Sequence, residues 1–187
     1  MQNKKTVYIN YFDIIDPIKV NKFIYFTTDV IATHEPSELY FFISSNGGDV
    51  DSGFVLYNYL ISLKEKLIIT MHNTGTIDSI ANVIFVAGQN RYAAPNSSFL
   101  FHGVSMNMQG GVSRTILKEH LSRLEGMENR ISQTVSLHTK LTESELTSLF
   151  QQGEGKNVQY ALTNEIINEI KIPIIPNGSI HLAMTFV

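Results

Sequence analysis

Leu39-Tyr40-Phe41-Phe42-Ile43-Ser44-Ser45-Asn46-Gly47-Gly48-Asp49-Val50 is the stretch on which the fold of this chain turns. Its first five residues are apolar almost without a break, which suits a strand buried on both faces. Gly47-Gly48 then allows a sharp backbone turn. From Val50 to Leu63, Phe54, Leu56, Tyr57, Leu60 and Ile61 recur near helical spacing. A buried strand, a glycine turn and an apolar-striped helix make one unit of a parallel sheet, because parallel strands need a crossover between them.

Working outward, the same alternation continues. Thr6 to Asn10 reads as a strand, and Asp16-Pro17 as the N-cap and first residue of a helix reaching about Ala32. His34-Glu35-Pro36 stops that helix. Leu67 to Met71 is a further buried strand, Ser79 to Ala87 a short apolar helix, and Tyr92-Ala93-Ala94 and Phe99-Leu100-Phe101 are strands. From Val112 to about His138 the pattern changes to one long amphipathic helix, with Leu117, Leu121, Leu124, Ile131 and Val135 on one stripe. Thr142 to Glu145 fits a capping box opening the next helix. Asn157 to Asn164 reads as a helix, and Ile166 to Ile170 and Ile180 to Phe186 as late strands around a Pro176-Asn177-Gly178 turn. The expected class is α/β with a mostly parallel sheet. No repeat or linker divides the chain, so residues 1–187 are expected to form a single domain.

Composition narrows the function. The chain has 187 residues, 43% of them hydrophobic and only 17% charged. So little charge implies that part of the apolar surface is covered by other subunits. A net charge of -3 gives no footprint for nucleic acid or an anionic membrane. With no cysteine, disulfides and thiolate metal sites are excluded. No histidine pair has metal-binding spacing, so neither a metal nor another cofactor is expected. The segment Met1 to Ile9 lacks a signal-like apolar core, and the window Ile80 to Ala87 is too short to span a bilayer. These features predict a cytoplasmic protein with no membrane association.

Three pieces of sequence carry chemistry. Gly47-Gly48 exposes backbone N–H groups beside a helix N-terminus, where negative charge is favoured. Ser79 stands at a strand-to-helix turn, followed by Ile80, whose N–H would face an oxyanion. His102 ends the apolar run Ser98-Phe99-Leu100-Phe101. Each has a plainer reading: a turn, a helix cap, a structural histidine. Together they supply donors, a nucleophile and a base, the parts acyl transfer requires.

The set Gly47-Gly48, Gly75-x-x-x-Ser79, Ala87-Gly88 and Ala94-Pro95-Asn96-Ser97-Ser98-x-x-x-His102 resembles the proteolytic subunit of the ATP-dependent Clp protease family. The long helix after Gly110-Gly111 resembles that family's handle, and the resemblance runs from about Thr6 to Ile170. It implies a crotonase-like α/β fold, a spiral of ββα units, and a serine-type endopeptidase acting on peptides or unfolded proteins. Ser79 would be the nucleophile, His102 the base, and the N–H groups of Gly48 and Ile80 the oxyanion hole. Gly47 and the stretch Gly103 to Gly111, including Val104 and Gly110, would bind substrate, the latter as a strand pairing with an extended peptide. Family members form homo-oligomeric rings of seven stacked in pairs around a chamber.

Some positions depart from the family. Asp78 and Asn82 replace small residues beside the serine. The family's triad aspartate falls on Gly153, leaving Glu154 as the nearby acid to orient His102. The N-terminal segment that lines the family's axial pore is short here, which leaves docking of an ATPase partner open. Two other readings stay beside the peptidase: an inactive homologue that keeps the fold and assembly, and a crotonase-fold acyl-CoA enzyme using the same backbone oxyanion hole. No basic cluster for CoA phosphates favours the last.

Overall fold

The computed structural model describes residues 5–108 and 110–184. Strand β1 (Thr6–Phe12) leads to helix α1 (Pro17–His34), capped by the Asp16 carboxylate on the Lys19 N–H and closed by Glu35 in a left-handed conformation. Strand β2 (Glu38–Ser45) leads through the glycine turn to α2 (Val50–Leu63), capped by Asp49. Strand β3 (Ile68–Asp78), the five-residue helix α3 (Ala81–Phe85), and strands β4 (Asn90–Ala93) and β5 (Ser98–Leu100) follow. After them come α4 (Arg114–Ser136), α5 (Glu143–Gln152), β6 (Gly155–Asn157), α6 (Val158–Thr163), β7 (Glu169–Ile170) and β8 (Ile180–Ala183).

The result is an α/β fold on a mixed, mostly parallel sheet ordered β6-β5-β3-β2-β1-β8, with β4 also on β3 and β7 on β4. Only the β5–β6 pairing is antiparallel among the named strands. Strand β3 serves two neighbours in turn. Its first half, Thr70 to Asn73, pairs with β4, and its last residues, Thr76 to Asp78, pair with β5. The last register pair, Asp78 with Leu100, puts Ser79 and His102 just beyond the same end of two adjacent parallel strands. That end is where α/β sheets hold their ligands.

One contiguous apolar cluster joins the sheet to the helices, from Val7, Ile9 and Phe41 through Leu56 and Leu60 to Phe85, Phe99 and Val135. Arg91 is buried among the elements that close the fold. Its guanidinium donates to the carbonyls of Gly88, His138, Glu165 and Ile166, so the charge is offset by four oxygens.

Several sequence expectations need correction. Strand β3 continues seven residues past Met71, to Asp78, through the polar run His72-Asn73-Thr74-Gly75-Thr76. Side chains hold this irregular part: Asn73 Oδ1 accepts the Gly75 N–H and Ser44 Oγ accepts the Thr76 N–H. The register with β2 slips between Ile43 and Ser45, a bulge that hides the strand from any periodicity. The helix expected from Ser79 begins at Ala81, because Ser79 itself lies at φ 55°. The strand expected over Ile166 to Ile170 shrinks to Glu169–Ile170. The long helix spans Arg114–Ser136, with Ser113 as its cap. The strand expected to Phe186 ends at Ala183, and Thr185 to Val187 lie outside the described residues.

The buried residues of α4, Ile131, Ser132 and Val135, all lie in its last third, and Met127 just before them packs partly buried on the core. Ile116, Leu117 and Leu121 at the start of α4 are 40%, 53% and 55% exposed. Arg123 and Arg130 of α4 reach Asp51 of α2 at 3.8 and 2.9 Å, and the Arg130 guanidinium lies 4.1 Å above the Phe54 ring. No described helix is long and apolar enough to cross a membrane.

Candidate active site

Ser79 occupies a left-handed backbone conformation, φ 55°. For a residue with a Cβ this costs about 1 kcal/mol or more, so the surroundings must impose it. They do so from both sides. The Ser79 N–H donates to Leu100 O at 2.9 Å, and the Asn82 N–H donates to Ser79 O at 3.1 Å. The Asn82 side-chain amide donates to Ser79 O and Leu100 O at 3.1 and 3.0 Å. Asn82 thus pins the turn to β5. Its own Oδ1 is buried with no partner among the described residues. The helix that follows is buried at every position.

The glycine turn rests directly on this elbow. Gly47 has φ 85°, and a Cβ there would lie 2.7 Å from Ser79 Cβ and 3.4 Å from Ile80 N. Gly48 has φ 148°, and a Cβ there would lie 2.1 Å from Ile15 O. Ile15 holds the loop by donating to Gly47 O and accepting from the Asp49 N–H, each at 2.8 Å. The N–H groups of Gly48 and Ile80 meet no protein acceptor among the described residues. The Gly48 N–H stands beside Ser79 just before the N-terminus of α2, where the helix dipole favours an anion, whereas Ile80, next to Ser79 in sequence, is fully buried and outside the lining of the cavity that holds Ser79.

His102 is half-buried two residues past β5. Its Nδ1 lies 2.8 Å from Gly103 O. A carbonyl oxygen only accepts, so Nδ1 donates, and the neutral ring held this way keeps its lone pair on Nε2. Gly103 and Val104 are held in turn: the Gly103 N–H donates to Phe150 O at 3.1 Å, and the Val104 N–H to Glu128 Oε1 at 2.9 Å.

Gly48, Ser79, His102 and Val104 line one cavity of about 590 Å³. Asn46, Asp49, Val50, Met106, Arg123 and Met127 complete much of the wall. No hydrogen bond joins Ser79 and His102 in this structure; apo sites often leave that bond long until substrate binds. Arg123 and Met127 escape sequence reasoning, although their i, i+4 spacing puts them on one face of α4.

The remaining expected site residues stand elsewhere. Glu154 does not reach His102: its carboxylate pairs with Lys156 Nζ at 3.2 Å and its side chain is 69% exposed. Gly153, where counting along the chain is expected to put the acid, is the left-handed C-cap of α5, φ 60°, with its N–H on Leu149 O. Asp78 accepts from the Thr76 hydroxyl, two residues back on the same face of β3, and does not line the cavity. Gly110 and Gly111 lie away from the cavity lining, and the described part of Gly103 to Gly111 forms no strand. The segment Gly103-Val104-Ser105-Met106-Asn107 has no strand beside it to take its hydrogen bonds, and its first two N–H groups are spent on Phe150 and Glu128. Gln109 lies outside the described residues.

Comparison with known proteins points to one family. Curated relatives named ATP-dependent Clp protease proteolytic subunit 2 occur in Pseudomonas aeruginosa, 28% identical over 77% of this chain and 74% of the relative, and in Treponema denticola, 25% identical over 71% and 68%. A proteolytic subunit 1 from Streptomyces coelicolor is 26% identical over 74% of this chain and 64% of its own length. Matches to such relatives span between about half and three quarters of their length. The family model described as Clp protease matches residues 17–172, which contain the glycine turn, the serine elbow, His102 and the long helix, and the chain belongs to the Clp protease family.

Proposed function

We propose that this chain is a serine peptidase, with Ser79 as nucleophile and His102 as general base. The observation that carries the reading is the strained Ser79 elbow with the N–H groups of Gly48 and Ile80 beside it. In the reaction, His102 Nε2 takes the Ser79 hydroxyl proton as Oγ attacks the peptide carbonyl. The oxygen of the tetrahedral intermediate then accepts from the Gly48 and Ile80 N–H groups. The imidazolium returns the proton to the leaving amine, and water repeats the sequence on the acyl-enzyme. Gly103 O takes the orienting role that a carboxylate plays elsewhere: it fixes the tautomer but offers no full charge to the imidazolium. Turnover is accordingly expected below that of an enzyme with a complete triad.

The chain is proposed to act as one domain on extended peptides, beside Gly103 to Gly111, bound through their backbone. The relatives' name, subunit of an ATP-dependent protease, and the uncovered Ile116, Leu117 and Leu121 support assembly of copies into rings through α4. Sedimentation at micromolar concentration is expected to give a mass several times the 21.0 kDa of one chain; a monomer alone overturns the assembly.

A fluorophosphonate probe tests the chemistry. Labelling of the wild type that disappears in Ser79→Ala supports the peptidase. A second reading, a family member retained for assembly without turnover, is favoured by Gly153 serving as a helix cap where an acid is expected. Ring formation without labelling would decide for it.

A further inference from the structure

We infer that Glu128, on the long helix α4, is a positioning residue for the His102 base, an inference that rests on the serine peptidase reading above. His102 has no acid at its Nδ1; its orienter is Gly103 O, 2.8 Å away, in the segment it begins. A carbonyl next in sequence can orient an imidazole only if the peptide carrying it is held still. Two bonds hold it: the Gly103 N–H on Phe150 O at 3.1 Å and the Val104 N–H on Glu128 Oε1 at 2.9 Å. The second is a charge-assisted bond to the far side of the very peptide unit whose carbonyl accepts the hydrogen bond from His102 Nδ1. The Gly103 C=O and the Val104 N–H belong to that one planar unit, so fixing the N–H aims the C=O.

The carboxylate sits close over Gly103. A Cβ there would lie 2.8 Å from Glu128 Oε1, the free end of a flexible side chain, so an added methyl would push the carboxylate aside. Glu128 also follows Met127, which lines the cavity, and stands two residues before Arg130, which anchors α4 to Asp51 at 2.9 Å. The acid that supports the base thus comes from the helix proposed to carry assembly, through a peptide bond rather than by contact with the imidazole.

The test compares Glu128→Ala, Glu128→Gln and Gly103→Ala in the assembled protein, with sedimentation confirming the wild-type mass. Glutamine keeps an acceptor for the Val104 N–H, and alanine removes it. Glu128→Ala is expected to lower kcat about 10²-fold with KM within about threefold, since a small misplacement of a reacting group costs that much. Glu128→Gln should recover most of the loss, and Gly103→Ala should match Glu128→Ala. Amide exchange over residues 102–108, read by mass spectrometry, should quicken in Glu128→Ala and not in Glu128→Gln. If kcat is unchanged in Glu128→Ala while Ser79→Ala abolishes turnover, the positioning role is overturned and the peptidase stands. If exchange is unchanged, the tether is absent and the inference falls. If the wild type itself neither labels nor turns over, the peptidase reading fails, and the catalytic role of Glu128 fails with it even where the exchange difference persists.

Discussion

The two halves of the candidate site are built to different standards. Ser79 is set in a turn held by its own N–H, by the Asn82 backbone and side chain, and by a buried helix behind it. His102 stands at the head of a segment without secondary structure, held by the Gly103 N–H on Phe150 O and the Val104 N–H on the Glu128 carboxylate. The nucleophile and its donors are therefore preorganised within the sheet. The base depends on how α4 and α5 sit. A site divided this way keeps its oxyanion geometry when the helices shift and loses its base first.

The largest break in that contrast is Ser79→Ala, which should cost about 10⁴-fold or more in turnover and remove probe labelling, whatever the state of the histidine. Gly48→Ala attacks the donor side. A Cβ 2.1 Å from Ile15 O forces the loop to move, and the Gly48 N–H with it. Losing one oxyanion donor costs about 10²- to 10³-fold in kcat, measurable with a chromogenic peptide. Asn82→Ala removes the side-chain pin but also the orphaned Oδ1. Ser79 O and Leu100 O each keep a backbone donor, so stability should change by only about 1 kcal/mol. Turnover should fall more than that figure implies if the pin holds the elbow's shape.

A smaller effect concerns the strand that carries the elbow. His72 of β3 is fully buried between the Tyr40 hydroxyl at 2.8 Å and Lys171 O at 3.0 Å, and burial pushes its pKa from 6.5 to about 4. The folded state holds it neutral, while the unfolded chain binds a proton near pH 6.5. The stabilisation is therefore complete above about 6.5 and is lost as pH falls toward about 4. Urea midpoints measured from pH 7 down to 4 should fall over this window, and His72→Gln should flatten the slope. The smallest effect expected is that of Glu154→Gln. Its carboxylate pairs with Lys156 on the surface, and turnover should stay within about twofold of wild type, as for exposed ion pairs in general. A large loss there would mean that the loop after α5 moves to the histidine when substrate binds.

Much of this architecture is legible in residue order. Apolar runs such as Leu39 to Ile43 can only be buried strands, and Asp16-Pro17 and Thr142 to Glu145 mark helix starts by their own side-chain chemistry. Ser79 is visible as a polar residue at the head of an apolar helix, though the strand that leads into it is not. All of these are local signals, carried within a few residues of chain. The second half of β3 is not legible, because its pairing is held by Asn73 and Ser44 side chains and slips by a bulge.

The acid question shows the same boundary. Counting along the chain brings Glu154 near His102, yet Gly153 turns the backbone out of α5 and Glu154 goes to Lys156. Glu128, twenty-six residues beyond His102 and inside a charged helix, carries no sign of its role in sequence. By itself the sequence determined the α/β class, the glycine turn, the short apolar helix behind Ser79 and the histidine close to a strand end, since each follows from short-range sterics and periodicity. Tertiary structure alone decided what His102 Nδ1 faces and which helix supports it, because those contacts depend on the register of β3 with β5 and on the docking of α4 over α2, which no local pattern encodes.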